Sequence, residues 1–332
     1  MKLLLNTVFK FSEAHRALLQ AACPGLELVE QNAGTVEQLD GSDVDILVTE
    51  PVPRNLEAWG RLRWVQLLSA GSNQLAGHPI RATALPVTTA SGTHGVPIAQ
   101  YVTCAVLMLA HSMPQVLQYK ETQKWPNRLA LAGRLLRGQK VGIIGYGSIG
   151  RECARQLSAL GMNVLCLKRD PKAHRDDGYN VWPGTGDPEG QIPAGWFGPA
   201  QLAEFLPQCD FVVVTVPSTL QTEGMLGRAQ LALLKRSAHL IIISRGGIVP
   251  EPVLAEALRS GVLAGAAVDC YVKEPLNGPH EFFSTPNLIM TPHMSGVYDG
   301  FWDLMVGLIA ENLRRFCAGA PLLNPVNHRY GY

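Results

Sequence analysis

The sequence has almost no net charge: 28 Lys plus Arg stand against 27 Asp plus Glu in 332 residues, a formal balance of +1. A protein that grips a polyanion or an anionic membrane surface carries a cationic excess, so no nucleic-acid and no membrane partner is expected. Long hydrophobic runs are missing too. The longest, Tyr101 to Ala110, is about half of the ~20 residues that a membrane helix needs. Near the amino end, Asn6 and Thr7 break the apolar residues and no small-residue cleavage site follows, so a strand rather than a leader is expected there. The seven cysteines (23, 104, 153, 166, 209, 270 and 317) are odd in number and form no Cys-x-x-Cys pair. That argues against a disulfide framework and for reduced thiols in a cytoplasmic setting, and no metal site is expected. Internal repeats and low-complexity tracts are absent as well.

What is present is material for a core and for many turns. At 47% hydrophobic and 17% charged, a chain of this length can bury a substantial interior, and 33 glycines with 23 prolines suit short elements joined tightly. The first hundred residues alternate β-type runs (Leu3–Phe9, Val44–Val48, Trp64–Leu68, Val87–Ala90) with helical patterns (Glu13–Ala22, Leu56–Trp59), the alternation of a parallel sheet with crossovers. A second series has six strands, Lys140–Ile144, Asn163–Leu167, Asp210–Val216, His239–Ser244, Ala264–Val268 and Leu288–Met290. Helical segments separate them at Ile149–Leu160, Gln201–Leu206, Arg228–Leu234 and Pro252–Ser260. Apolar helices at Ile98–Ser112 and Tyr298–Ala318 flank this series, and the second is expected to pack back on the first lobe. The boundaries that follow are 1–97 with 294–332 for one domain and 98–293 for the other. Pro171–Gly198, rich in Gly, Pro and Asp without a clear period, is expected to be a surface insertion.

Lys140 to Arg151 reads KVGIIGYGSIGR, so that Gly145, Gly147 and Gly150 form Gly-x-Gly-x-x-Gly after an apolar strand and at the start of a helix. The first glycine allows a tight turn, the second lets the backbone approach a pyrophosphate, and the third lets the helix pack close, with the helix amino end facing the anion. Ser148 adds a hydroxyl donor. Strand, spacing and helix together favour a dinucleotide site. The next strand ends in Lys168, Arg169 and Asp170, 18 to 20 residues beyond Gly150. In such folds an acidic residue at this point takes the ribose 2′-hydroxyl of NAD, and basic groups accommodate the 2′-phosphate of NADP. The basic pair comes first here, which favours NADP(H), with NAD(H) left open by Asp170.

Three later segments carry the groups that hydride transfer to a 2-keto acid requires. IIISRGGIVPE puts Arg245 just after a buried strand, where it can grip a carboxylate bidentately. AAVDCYVKEPL puts Asp269 at a strand end and Glu274 five residues on, and LIMTPHMSG puts His293 after the last strand. A histidine suits proton donation near neutral pH, and a carboxylate on its other ring nitrogen orients it and favours the imidazolium. Taken singly, Arg245 reads as a loop arginine, Glu274 as a turn residue before Pro275 and His293 as a satisfied loop histidine. The same holds for Tyr271, Tyr298 and Trp302, which as aromatics after a strand or in a helix read more readily as core than as pocket lining.

The combination resembles the D-isomer-specific 2-hydroxyacid dehydrogenase family, glyoxylate/hydroxypyruvate reductases in particular. The resemblance runs over nearly the whole chain, through GYGSIGRE at 145–152, VPSTLQTEGMLG at 216–227, ISRGGIVPE at 243–251, AAVDCYVKEPL at 266–276 and TPHMSG at 291–296. It implies that Arg245, Glu274 and His293 are the catalytic triad and that Asp269 binds the nicotinamide carboxamide. It implies further cofactor contacts from Tyr146 and Ile149 in the glycine loop, from Val216, Pro217 and Thr222 under the adenosine, and from Ser244 and Gly296. In LLSAGSNQL it implies that the amides of Ala70 and Gly71 hold the substrate carboxylate together with Arg245 and His293. Tyr119–Arg137 matches a dimer arm, so a homodimer is expected. The chain departs from the family pattern at Asn73, Gln100, Lys168, Thr215 and Ser218, and Glu50 in VTEPVP is an unusual neighbour for an acidic substrate.

The fold expected is α/β, with two doubly wound parallel-sheet domains, a Rossmann dinucleotide-binding domain being inserted into a flavodoxin-like substrate domain. The activity expected is reduction of a small 2-keto acid, glyoxylate or hydroxypyruvate, to the D-2-hydroxy acid with NADP(H) or NAD(H). The rivals are a formate- or phosphite-type dehydrogenase and a dinucleotide-sensing regulator. A retained triad argues against the regulator, and the intact Glu274 and His293 argue against formate.

Overall fold

The structure, a computed structural model, describes residues 1–32 and 36–328. The chain forms two compact units, one of 1–94, 178–183 and 298–332, the other of 95–177 and 184–297. The sequence boundaries at 97/98 and 293/294 compare with 94/95 and 297/298 here, and the first unit also takes six residues from the middle of the expected insertion.

The first unit holds β1 (Lys2–Asn6), α1 (Glu13–Ala22), β2 (Glu27–Gln31), β3 (Ile46–Thr49), β4 (Trp64–Leu67) and β5 (Val87–Thr88). Its sheet is parallel in the order β2-β1-β3-β4-β5, the flavodoxin-like arrangement. Helix α1 starts where Ser12 and His15 satisfy each other's backbone N–H groups in a capping box. All four residues of β3 and of β4 are buried, as strands covered on both faces require. Strand β2 was not expected: ELVEQ lies at the sheet edge, half exposed, and its charged residues mask the strand pattern.

The second unit opens with α2 (Gly95–Ala110) and α3 (Met113–Thr122) and continues through β6 (Lys140–Ile144), α4 (Ser148–Ala159), β7 (Asn163–Leu167), β8 (Gly195–Phe197), α5 (Leu202–Phe205), β9 (Phe211–Val214), α6 (Arg228–Leu231), β10 (His239–Ile242), α7 (Glu251–Arg259), β11 (Gly265–Val268) and β12 (Leu288–Met290). The last helix, α8 (Phe301–Cys317), packs on α1 in the first unit. Seven parallel strands run β12-β11-β10-β9-β6-β7-β8, the doubly wound dinucleotide order with one strand added. Side chains alternate between its faces: Phe211, Val213 and Ile241 meet α2 and α4, while Val212, Val214 and Leu240 meet α5, α6 and α7.

Six strands were expected in this sheet, and the seventh, β8, lies within the expected insertion. GlyTrpPhe pairs only with β7 and is too short to show a period. The rest of the insertion is tied down by α4. Arg151, 2% exposed, donates to the carbonyls of His174 and Asp187 and pairs with Asp176 at 3.1 Å. Glu152, 1% exposed, accepts from Gly186 N at 2.7 Å. Between β6 and α3, by contrast, Trp125, Leu129 and Leu135 are exposed, as is Leu117 on α3. Among the described residues no single helix is long and apolar enough to cross a membrane, and no group of His, Cys, Asp and Glu is arranged to hold a metal ion.

Candidate active site

The order of the second sheet reverses between β6 and β9, and there the glycine loop lies. Gly145 has φ +100°, and Thr215, at the end of β9, donates its hydroxyl to the Gly145 carbonyl at 2.7 Å. A Cβ on Gly150 would overlap that carbonyl, so only glycine lets α4 start this close to β6. Gly147 caps α4 with no side-chain hydrogen bond, and a Cβ built on it would meet nothing within 4 Å. Space is thus left beside Gly147 at the positive end of α4, ahead of Ser148 and Ile149, as an anion requires. Ser244 supplies a second sign of an absent group: its hydroxyl, at the carboxyl end of β10, is buried without a partner. A dinucleotide fits these features, its pyrophosphate at 147–150 and its far end toward Ser244.

Not every expected cofactor residue presents its side chain to that loop. The Tyr146 ring is buried, its hydroxyl donating to Asp187 at 2.7 Å with Arg151 stacked on its face, so its side chain supports the insertion. Burial, then the hydrogen bond to Asp187, raises its pKa. The Lys168 ammonium donates to the Ala173 carbonyl at 2.5 Å and sits 5.8 Å from the Trp196 ring. Burial, then Arg151, pulls its pKa below the ordinary lysine value. Arg169 and Asp170 are exposed, Asp170 accepting from Lys172 N at 3.0 Å. The Thr222 hydroxyl closes the turn after Val216, donating to Pro217 O at 2.6 Å and accepting from Thr219 N at 2.9 Å.

Three neighbouring strands, β10, β11 and β12, deliver the other candidates at their carboxyl ends, about 4.8 Å apart per strand. Arg245 follows β10 and donates to Ser244 O at 2.8 Å. Next to it, a Cβ on Gly246 would overlap the Tyr271–Val272 backbone. The Arg-Gly-Gly run therefore lets the arginine loop lie directly on the loop that carries Glu274. Glu251, the first residue of α7, accepts from Val272 N at 2.8 Å and faces His280 Nε2 at 3.2 Å. Glu274 accepts from Tyr271 N at 2.7 Å through one oxygen and meets His293 Nδ1 at 2.6 Å through the other. With side chains 43% and 33% exposed, His293 and Glu274 are open to a reactant.

His293 has φ +53°, in the left-handed region that few residues other than glycine adopt, and its surroundings explain how it is kept. Asp269, 1% exposed, accepts from Thr291 Oγ1 at 2.6 Å, Met294 N at 2.9 Å and Ser295 N at 2.8 Å. Since the Thr291 proton goes to the carboxylate, the Tyr101 hydroxyl, 2.6 Å away, must donate to Thr291. Burial pushes Tyr101 up to about 12, which keeps that proton in place. Tyr271, buried as the core reading expects, donates to Thr291 O at 3.0 Å. The loop from Thr291 to the half-buried Gly296 is thus clamped from α2, β11 and Tyr271. The resemblance gave Asp269 a cofactor contact, but its oxygens also organise this loop. Tyr101, Thr291 and Glu251 went unmarked as site residues; the hydroxyl two positions before His293 was the available signal.

In the first unit the loop after β4 is shaped by Ser69, which donates to Gly71 O at 2.8 Å and accepts from Gln74 at 2.9 Å. Ala70 and Gly71 are half-buried, and Glu50, which is exposed, accepts from Gln74 at 3.4 Å. Tyr298 donates to Thr93 O at 3.3 Å and Trp302 stacks on Phe9 at 4.1 Å, so both are packing residues of this unit.

Known proteins resemble this chain in sequence and in fold. Residues 103–295 match the family model described as D-isomer specific 2-hydroxyacid dehydrogenase, NAD binding domain. A D-3-phosphoglycerate dehydrogenase of Haemophilus influenzae is 32% identical over 73% of this chain, which spans 55%, about half, of that relative's length. A glyoxylate reductase of Thermococcus gammatolerans is 30% identical over 83% of this chain and 81% of its own. Among solved structures, a D-isomer specific 2-hydroxyacid dehydrogenase of Xanthobacter autotrophicus in complex with NADPH and MES superposes with TM-score 0.83 at 28% identity, covering 100% of this chain and 99% of that one. The chain belongs to the D-isomer specific 2-hydroxyacid dehydrogenase family.

Proposed function

We propose that the protein reduces a small 2-keto acid, glyoxylate or hydroxypyruvate, to the D-2-hydroxy acid, with NADP(H) preferred. The observation that carries this reading is the 2.6 Å contact of His293 Nδ1 with Glu274 on a clamped loop, one strand from Asp269 and two from Arg245. The Arg245 guanidinium pairs with the substrate carboxylate and fixes the carbonyl. His293 donates the Nε2 proton to the keto oxygen as charge develops there, and Glu274 holds the ring through Nδ1 and stabilises the imidazolium. A bound nicotinamide supplies the hydride. In the reverse direction His293 takes the hydroxyl proton. The likeness to a glyoxylate reductase supports the substrate class. Arg169, exposed at the end of β7 where NAD-specific sheets carry an acid, supports NADP(H).

The direct experiment offers glyoxylate, hydroxypyruvate, pyruvate and phenylpyruvate, each with NADPH and NADH, and follows nicotinamide absorbance. The expected result is fastest turnover of glyoxylate or hydroxypyruvate with NADPH. Oxidation of neither nucleotide by any of the four acids overturns the reading. The exposed Leu117, Trp125, Leu129 and Leu135 support a homodimer, for which light scattering should return twice the chain mass, and a monomer at micromolar concentration would refute it.

A further inference from the structure

The loops that carry Arg245 and Glu274 meet at a residue outside the triad. Gly246 lies so close to the Tyr271–Val272 peptide that any Cβ there would overlap it. The same peptide is tied from α7 by Glu251, six residues beyond Arg245, whose Oε1 accepts from Val272 N at 2.8 Å. The preceding amide, Tyr271 N, donates to Glu274 at 2.7 Å. Two consecutive N–H groups of one loop thus end on two carboxylates, and the second carboxylate is the partner of His293.

The other Glu251 oxygen meets His280 Nε2 at 3.2 Å. His280 Nδ1 accepts from Phe282 N at 3.2 Å, capping the 3₁₀ turn Glu281–Ser284, so the ring proton is on Nε2 and is donated to Glu251. An acid in the first turn of a helix ordinarily faces the positive helix end from solvent. Glu251 does otherwise: its side chain is 15% exposed, and both oxygens are engaged by loops beyond α7.

We infer that Glu251, held by His280, is a positioning residue that keeps the Arg245 and Glu274 loops in register and, through Glu274, fixes the His293 ring. The Glu274 carboxylate keeps a proton on His293 Nδ1, which leaves Nε2 for the reactant. Without Glu251 the Val272 N–H is unpaired, and the loop that orients Glu274 loses its tie to α7. The consequence for rate rests on the proposed reductase chemistry; the consequence for the ring does not.

The test reads both. In full-length protein labelled with ¹⁵N-histidine, the His293 ring signals are assigned by their loss in His293→Gln and followed above the titration range of the ring. Wild type should show the Nδ1–H tautomer, and Glu251→Leu should move it toward the tautomer mixture of an unrestrained imidazole. With the keto acid that is reduced fastest, Glu251→Leu should lower kcat by about tenfold or more, as a misplaced reacting group does, and leave the KM for NADPH unchanged. Glu251→Gln can still accept from Val272 N and should recover most of both. His280→Asn keeps a cap for Phe282 N without reaching Glu251, and should fall between. A wild-type ring already in the mixture, or a folded Glu251→Leu with the wild-type tautomer or kcat, overturns the inference. So does a loss that Glu251→Gln does not recover. If Glu251→Leu does not fold, an unmoved tautomer and kcat in His280→Asn overturn it instead. A shifted tautomer in a protein that reduces no keto acid supports the positioning role and removes the reductase reading.

Discussion

Strands β10, β11 and β12 end in two unlike chemistries. At their carboxyl ends stand Arg245, Asp269 and His293, where the buried carboxylate is saturated with donors and the histidine, paired with Glu274, reaches solvent. At the amino ends of β10 and β12 stand His239 and Asn287, where one imidazole nitrogen is enclosed without a partner. A strand constrains only where its end residues lie; the loops decide whether a polar group there is neutralised, exposed or stranded. The carboxyl edge spends its hydrogen bonds on holding the loop of one exposed histidine in place. The amino edge leaves its own unspent.

The largest effect expected follows from breaking the first edge at its exposed member. His293→Ala should lower turnover by about 10²- to 10⁴-fold, the usual contribution of a positioned general acid, with little change in melting temperature, since the ring is half in solvent. Equal turnover in a folded variant would remove the histidine from the chemistry.

Breaking the amino edge should instead show in stability. The folded protein keeps His239 neutral down to about 4, whereas an unfolded histidine takes up its proton near 6.5. Protonation therefore favours unfolding: the contribution is complete above pH 6.5 and is lost as pH falls toward 4, about 3 kcal/mol over that window. Urea titrations at successive pH values should show this loss in the wild type and its absence in His239→Phe. Parallel acid limbs would refute the assignment of that loss to His239.

Thr291→Val tests how much the clamp matters to the reactive edge. The substitution keeps the shape but leaves Tyr101 and Asp269 each one partner short, at a cost of about 1–3 kcal/mol. Turnover should fall while dinucleotide affinity, read by fluorescence titration, holds. Loss of affinity in the same proportion as turnover would mean that Asp269 works mainly on the cofactor.

How far these edges can be read from sequence depends on how local their causes are. Buried parallel strands such as Phe211–Val214 stand out as apolar runs, and α4 begins within one residue of its expected start because the glycine spacing fixes it. Strands β2 and β8 were missed because each has a single neighbour, so polar residues or mere brevity erased the pattern. Motif and strand position were enough to anticipate where Arg245, Glu274 and His293 stand and that the last two pair. The clamp was not legible, because it joins Tyr101 on α2 to Thr291 across 190 residues. The strand end at Lys168 shows the converse failure: the residue types were read correctly, but the lysine's direction depends on Trp196 and Ala173, both within the segment expected to be an insertion.

Two adjacent cations end β7, and they differ in exposure. The Lys168 ammonium is held at the Ala173 carbonyl over the Trp196 ring, and burial makes its charge less favourable. Arg169 is exposed at the same carboxyl edge as Arg245 and His293, and a guanidinium has a shape suited to a phosphate. If the 2′-phosphate is read there, Arg169→Ala should raise the KM for NADPH by about tenfold, or about 1.4 kcal/mol, and leave that for NADH unchanged. Lys168→Met should instead lower the melting temperature of the nucleotide-free protein, since it removes the tie between β7 and the following segment, and leave the NADPH-to-NADH ratio alone. A ratio that moves with Lys168 and not with Arg169 would mean that the lysine leaves Ala173 when the nucleotide binds, making the end of β7 a part of this edge that is rebuilt by its ligand rather than held ready for it.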